Sequence, residues 1–132
     1  MQSARTEGAP KEETTLESLQ LAHTLVQTIE DKKGENIVLM DIAGQSIFAD
    51  YFVIATGTSE RQLRALADAV SDVADQAVKR RHILRRADEQ AQSGWILIDL
   101  GTVVVQLFSP AQRKHYNLEG LWKEAKVLLR VQ

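Results

Sequence analysis

Ala49–Gln62 reads ADYFVIATGTSERQ. Tyr51–Thr56 is an apolar run of strand formers that breaks at Thr56-Gly57-Thr58-Ser59. From Ser59 to about Arg81, Leu63, Leu66, Ala67, Val70, Val73, Ala74, Ala77 and Val78 then recur at helical spacing. Strand, small-residue turn and helix start is how many phosphate-binding loops begin. A dinucleotide loop wants G-x-G-x-x-G and a P-loop wants G-x-x-x-x-G-K-[ST], whereas this turn has one glycine and no lysine in place. Ser59 and Gln62 form an S-x-x-Q capping pair, and Gly57 would relieve a tight corner. Amides at a helix N-terminus can still attract an anion, so a structural corner and a triphosphate site both stand as readings.

Upstream, Asn36–Ile42 (NIVLMDI) is a short apolar run that predicts a strand buried on both faces, with Ala43-Gly44-Gln45 as the turn into the next strand. Before it, Leu16, Leu19, Ala22, Leu25, Val26 and Ile29 predict a helix opened by a Thr14–Glu17 capping box. Lys32 and Lys33 suit the negative end of its dipole, and Gly34 suits the left-handed C′ position. Residues 1–13 are polar and aperiodic and predict a disordered tail, leaving 14–132 as a single domain.

Downstream of a polar linker, WILIDL and TVVVQLF predict a hairpin turning at Leu100-Gly101. Ser109-Pro110-Ala111-Gln112 repeats the capping signature, and the C-terminal region through KEAKVLLRVQ reads as helical. The predicted order is helix, two strands, helix, two strands, helix. The hairpins are antiparallel, and the crossover helix implies that the second and third strands lie parallel. The fold class is α/β, a mixed β-sheet with flanking helices.

The chain has 132 residues, ordinary apolar and charged fractions of 44% and 26%, and a formal net charge of −2, which disfavours wholesale phosphate neutralisation as its mode of action. It has no cysteine, which excludes disulfides, thiolate metal sites and a cysteine nucleophile. Three scattered histidines, His23, His82 and His115, supply a metal site poorly. No apolar run is long enough for a membrane helix and no secretory signal is visible, so the expected address is the cytoplasm.

Two-metal phosphoryl transfer needs converging carboxylates, typically at i and i+2 of one strand. Asp99 sits late in WILIDL, but its neighbours two away are Leu97 and Gly101, and no D-x-D occurs in the chain. Asp41 and Asp50 are equally isolated, and there is no G-x-S-x-G elbow. No catalytic residue and no cofactor is assigned. The basic run KRRHILRR offers Lys79, Arg80, Arg81, Arg85 and Arg86 to a phosphate backbone. It equally suits a helix C-terminus followed by a solvated linker, and acidic residues Glu60, Asp68, Asp72 and Asp75 precede it. Trp95 opens a strand, where an interface anchor is as credible as core packing, while Trp122 beside Tyr116, Leu118 and Leu121 reads as core.

Several separated pieces together resemble one family. DIAGQSIFADYFVIATGTSERQ, the W-x-x-x-D-x-G of Trp95–Gly101, and the R-x-x-Y-x-L-E-x-L-W of Arg113–Trp122 closely resemble the ribosomal silencing factors, also called Iojap-like proteins, over about residues 16–124. The resemblance implies a nucleotidyltransferase-like fold without transferase activity. It also implies binding to the large ribosomal subunit through its L-fourteen protein, with subunit joining blocked and translation repressed. The partner-binding residues expected on that basis are Trp95, Asp99, Tyr116 and Glu119, carboxylates suiting a basic ribosomal protein. Lys79–Arg86 would then face ribosomal RNA, and the same sheet surface could support a homodimer in the free protein. Two departures from the family pattern are Gln106, where a histidine is usual, and the linker RRADEQAQSG. The alternatives are a nucleotidyltransferase-like enzyme holding triphosphate at the TGTS turn, and an RNA-binding module built on Lys79–Arg86.

Overall fold

The computed structural model describes residues 3–44, 49–78, 87–116 and 126–132. The elements run α1 (Ser3–Asp31), β1 (Glu35–Asp41), β2 (Tyr51–Thr56), α2 (Glu60–Val78), α3 (Ala87–Ser93), β3 (Trp95–Asp99), β4 (Val103–Phe108), α4 (Pro110–Tyr116) and β5 (Lys126–Val131). The five strands form one mixed sheet of order β3-β4-β2-β1-β5.

β1 and β2 pair antiparallel, as do β3 and β4. The parallel partner of β2 is β4, not β3: Tyr51 faces Val103 and Thr56 faces Phe108. The crossover through α2 and α3 therefore delivers β3 to the sheet edge, and the hairpin folds back to bring β4 against β2. The hairpin turns on Gly101, which takes φ 92° while Leu100 N–H donates to the Val103 carbonyl at 2.9 Å. Glycine at the first central position of a two-residue loop gives a turn whose twist matches the strands.

Three elements depart from the sequence expectation. The C-terminal KVLLRV is not helical but forms β5, antiparallel to β1. Its aliphatic and β-branched residues suit a strand, and Leu128, Leu129 and Val131 pack on the core that β1 would otherwise leave bare. Within the expected linker, Ala87–Ser93 is a short helix. Where a disordered tail was expected, α1 begins at Ser3, so Thr14 lies inside it.

Strand alternation divides the core in two. Ile37, Leu39, Val53, Ala55, Ile96, Ile98, Val105 and Leu107 face Leu25 and Ile29 of α1 and Leu63, Leu66 and Val70 of α2. Val38, Met40, Ile42, Ala49, Ile54, Val104 and Phe108 form a second cluster, with Phe52 and Trp95 at its margin. Both faces of the central strands are buried, which is why they read as continuous apolar runs. Each buried Leu or Ile contributes roughly 1.5–3 kcal/mol by its removal from water.

The end of α1 differs by one residue from expectation. Lys33, not Gly34, takes the left-handed conformation, at φ 71°. Its N–H donates to the Glu30 carbonyl and Gly34 N–H to the Ile29 carbonyl, both at 2.9 Å, which is the Schellman pattern with Lys33 at C′. Gly34 is required for space: a Cβ there would lie 2.4 Å from Ile29 Cγ2. Lys33→Gly should therefore raise stability by up to about 1 kcal/mol by relieving the left-handed conformation. Gly34→Ala should lower it by roughly 1–3 kcal/mol through overpacking. Urea midpoints at unchanged m-value measure both.

Tyr51 is buried, and its phenol is pushed above its ordinary value first by burial and then by the carboxylates of Asp41 and Asp50. A raised folded-state value leaves stability intact below about pH 10, where the unfolded tyrosine begins to ionise, and removes it as pH climbs further. The alkaline fall in stability should be shallower in Tyr51→Phe, read from urea midpoints across pH 9–11.5.

Candidate partner-binding surface

The TGTS corner is closed by its own side chains. Gln62 N–H donates to Ser59 Oγ at 3.0 Å, as the capping pair predicts. The return bond reaches one residue further back than expected: Gln62 Oε1 accepts from Thr58 N–H at 2.8 Å and from Thr58 Oγ1 at 3.0 Å. Gln62 Nε2 also donates to the Lys33 carbonyl at 2.9 Å, tying the end of α1 to the start of α2. Gly57 N–H donates to the Phe108 carbonyl at 2.9 Å, and a Cβ on Gly57 would lie 2.9 Å from Leu63 Cδ2. Gly57 N–H, Thr58 N–H and Gln62 N–H are thus each bonded within the protein, two of them through the Ser59 and Gln62 side chains. Among the described residues, no three His, Asp or Glu side chains converge to hold a metal ion.

At the β3 edge, Gly94 takes φ 85° to turn α3 into β3, and its carbonyl accepts from Ser109 N–H at 2.8 Å. Ser109 Oγ accepts from Gln112 N–H at 3.2 Å, capping α4, and Gln112 Nε2 donates to the Ser93 carbonyl at 3.1 Å. The corners entering β3 and leaving β4 are thereby locked together. Ile96 and Ile98 go to the helix-side core, so Trp95, Leu97 and Asp99 share the opposite face at steps of about 6.6–6.8 Å.

On that face Trp95 is half-buried. Its ring stacks on Phe108, its cross-strand partner, with centroids 5.5 Å apart and planes 19° apart. Its Nε1–H donates to Gln106 Oε1 at 3.1 Å. Leu97, opposite Gln106, is 42% exposed, one of two exposed large apolar side chains among the described residues. Asp99 is exposed, with Oδ1 accepting the Gly101 N–H at 2.9 Å. Deeper along the Trp95 row, Arg113 of α4 donates from Nη1 to Thr56 Oγ1 at 2.9 Å. Gln90 of α3 presents Oε1 to Leu97 N–H at 3.1 Å, occupying part of the β3 edge. What remains outward is a side-chain surface: an aromatic ring, an aliphatic chain and a carboxylate along one strand.

The structure therefore brings Trp95 and Asp99 onto one face. Tyr116 ends α4, its side chain lying outside the described residues, as do Glu119, Trp122 and the basic residues Lys79, Arg80, Arg81, Arg85 and Arg86. Sequence reasoning missed Leu97, although the alternation of WILID places it on the Trp95 face. It also missed Gln106 and Phe108 as supports of Trp95, a relation visible only once β3 and β4 are in register.

Residues 15–132 match the family described as "Ribosomal silencing factor during starvation". The chain is 42% identical over 110 residues to the ribosomal silencing factor RsfS of Halalkalibacterium halodurans, covering 83% of this chain and 88% of that protein. A more distant relative is the mouse protein named mitochondrial assembly of ribosomal large subunit protein 1, 28% identical over 98 residues, covering 74% of this chain and 43% of that one. A crystal structure of a Chromobacterium violaceum protein superposes with a TM-score of 0.71 at 30% identity, covering 80% of this chain and 85% of that one. The chain belongs to the ribosomal silencing factor family.

Proposed function

We propose that this protein is a non-catalytic, cytoplasmic repressor of translation. It binds the large ribosomal subunit through the L-fourteen protein and sterically blocks docking of the small subunit. Family membership supports the silencing role, and the large-subunit name of the mouse relative supports the target. The observation that carries the mechanism is the outward-facing Trp95–Leu97–Asp99 row at the sheet edge, in which Trp95 is half-buried and Leu97 and Asp99 are exposed. A steric block needs no reaction, only a rigid surface of ordinary interface size in the right place. Trp95 supplies a central anchor, Leu97 an apolar neighbour, and Asp99 a charge suited to a basic ribosomal protein.

Tyr116 and Glu119 belong to the same proposed contact, and Lys79, Arg80, Arg81, Arg85 and Arg86 are assigned to ribosomal RNA. In the free protein the same surface is available to a homodimer. A triphosphate-using enzyme is disfavoured because Gln62 takes the Thr58 N–H and donates its own to Ser59.

Co-sedimentation with purified subunits on sucrose gradients tests the proposal. The protein should travel with large subunits only, and Trp95→Ala should weaken binding by about 30-fold, as for a hot-spot aromatic. Leu97→Asp should weaken it comparably without changing the unfolding midpoint, since Leu97 is exposed in the free chain. Equal binding to small subunits, or to neither, would sink the proposal. Reversing the charges of Lys79, Arg80 and Arg81 should flatten the salt dependence of large-subunit binding, because fewer counterions are released on association.

A further inference from the structure

We propose that Gln106 is a positioning residue that presets the Trp95 indole for its partner, which extends the reading of the Trp95 surface given above. Gln106 is the one polar side chain in β4, VVVQLF, and is 4% exposed. A buried carboxamide is costly unless hydrogen-bonded, and here its oxygen accepts the Trp95 Nε1–H at 3.1 Å. Stacking on Phe108 sets the plane of the indole, and the bond to Gln106 sets its rotation within that plane. Trp95 opens an edge strand and is only half-buried, a setting in which packing alone leaves several rotamers open. Both of these restraints come from β4.

The partner therefore meets an anchor that is already ordered, and the association is spared the cost of immobilising it. Gln106 is buried and acts through the indole rather than by touching the partner. Leu97, directly across the strand pair from Gln106, shares the outward face with Trp95. A carboxamide does not titrate, so this restraint is the same across the physiological pH range.

The test uses the full chain and purified large subunits. The Trp95 indole N–H resonance, identified by its loss in Trp95→Phe, should exchange slowly with solvent in the wild type and faster in Gln106→Leu. Gln106→Leu should bind large subunits roughly 3- to 10-fold more weakly, the size of one net hydrogen bond. The double variant Trp95→Phe/Gln106→Leu should bind no worse than Trp95→Phe alone, because both remove the same restraint. Gln106→Met, unbranched like glutamine, repeats the comparison should Gln106→Leu fold poorly. Wild-type affinity in Gln106→Leu and Gln106→Met, or single losses that multiply in the double variant, would overturn the assignment. A wild-type protein that ignores large subunits overturns the functional reading itself, a result distinct from either.

Discussion

The parallel ladder between β2 and β4 is the constraint on which the rest of the molecule depends. It runs from Tyr51–Val103 to Thr56–Phe108 and ends in the Gly57 N–H bond to the Phe108 carbonyl. Its start is equally fixed, because the Thr102 carbonyl accepts from both Asp50 N–H and Tyr51 N–H. Ser18 of α1 shares a hydrogen bond with Thr102, so the first helix is latched to the same point. With β2 and β4 in this register, β3 must lie outside β4. Thr56, Phe108 and Trp95 then fall in one row across the sheet.

That row links the architecture to the proposed partner-binding surface. Its inner end is closed by Arg113 on Thr56, its middle is the buried Phe108 ring, and its outer end is the half-buried Trp95. The TGTS corner at the end of β2 belongs to the same construction. It resembles a phosphate loop because it performs the same geometric task of turning a strand into a helix, but Gln62 spends its polar groups on Thr58, Ser59 and Lys33. Under the proposed function, recognition falls to the sheet edge instead.

Much of this was legible in the sequence because it rests on local signals. The central strands announce themselves as apolar runs, α2 by its periodicity, and the corner by Ser59 and Gln62. The motifs spanning Ala49–Gln62, Trp95–Gly101 and Arg113–Trp122 carried the family. What was not legible depends on contacts distant in sequence. KVLLRV fits a helix or a strand until β1 offers it an edge. The identity of the parallel partner of β2 depends on which strand of a hairpin turns inward. At the end of α1, glycine was assigned the left-handed position by preference, whereas the crowding of Ile29 claims it for the next residue. Trp95 was visible as an anchor from its type, but Gln106 and Leu97 gained meaning only from the cross-strand register.

Under the proposed function, occupation of the large subunit by this surface prevents joining. Light scattering of subunit association tests it most directly, with the protein preloaded on either subunit before mixing. The account predicts that preloading large subunits lowers the extent of joining in proportion to occupancy, and that Trp95→Ala at the same concentration restores it. Unimpaired joining by large subunits that demonstrably carry the protein would contradict the account.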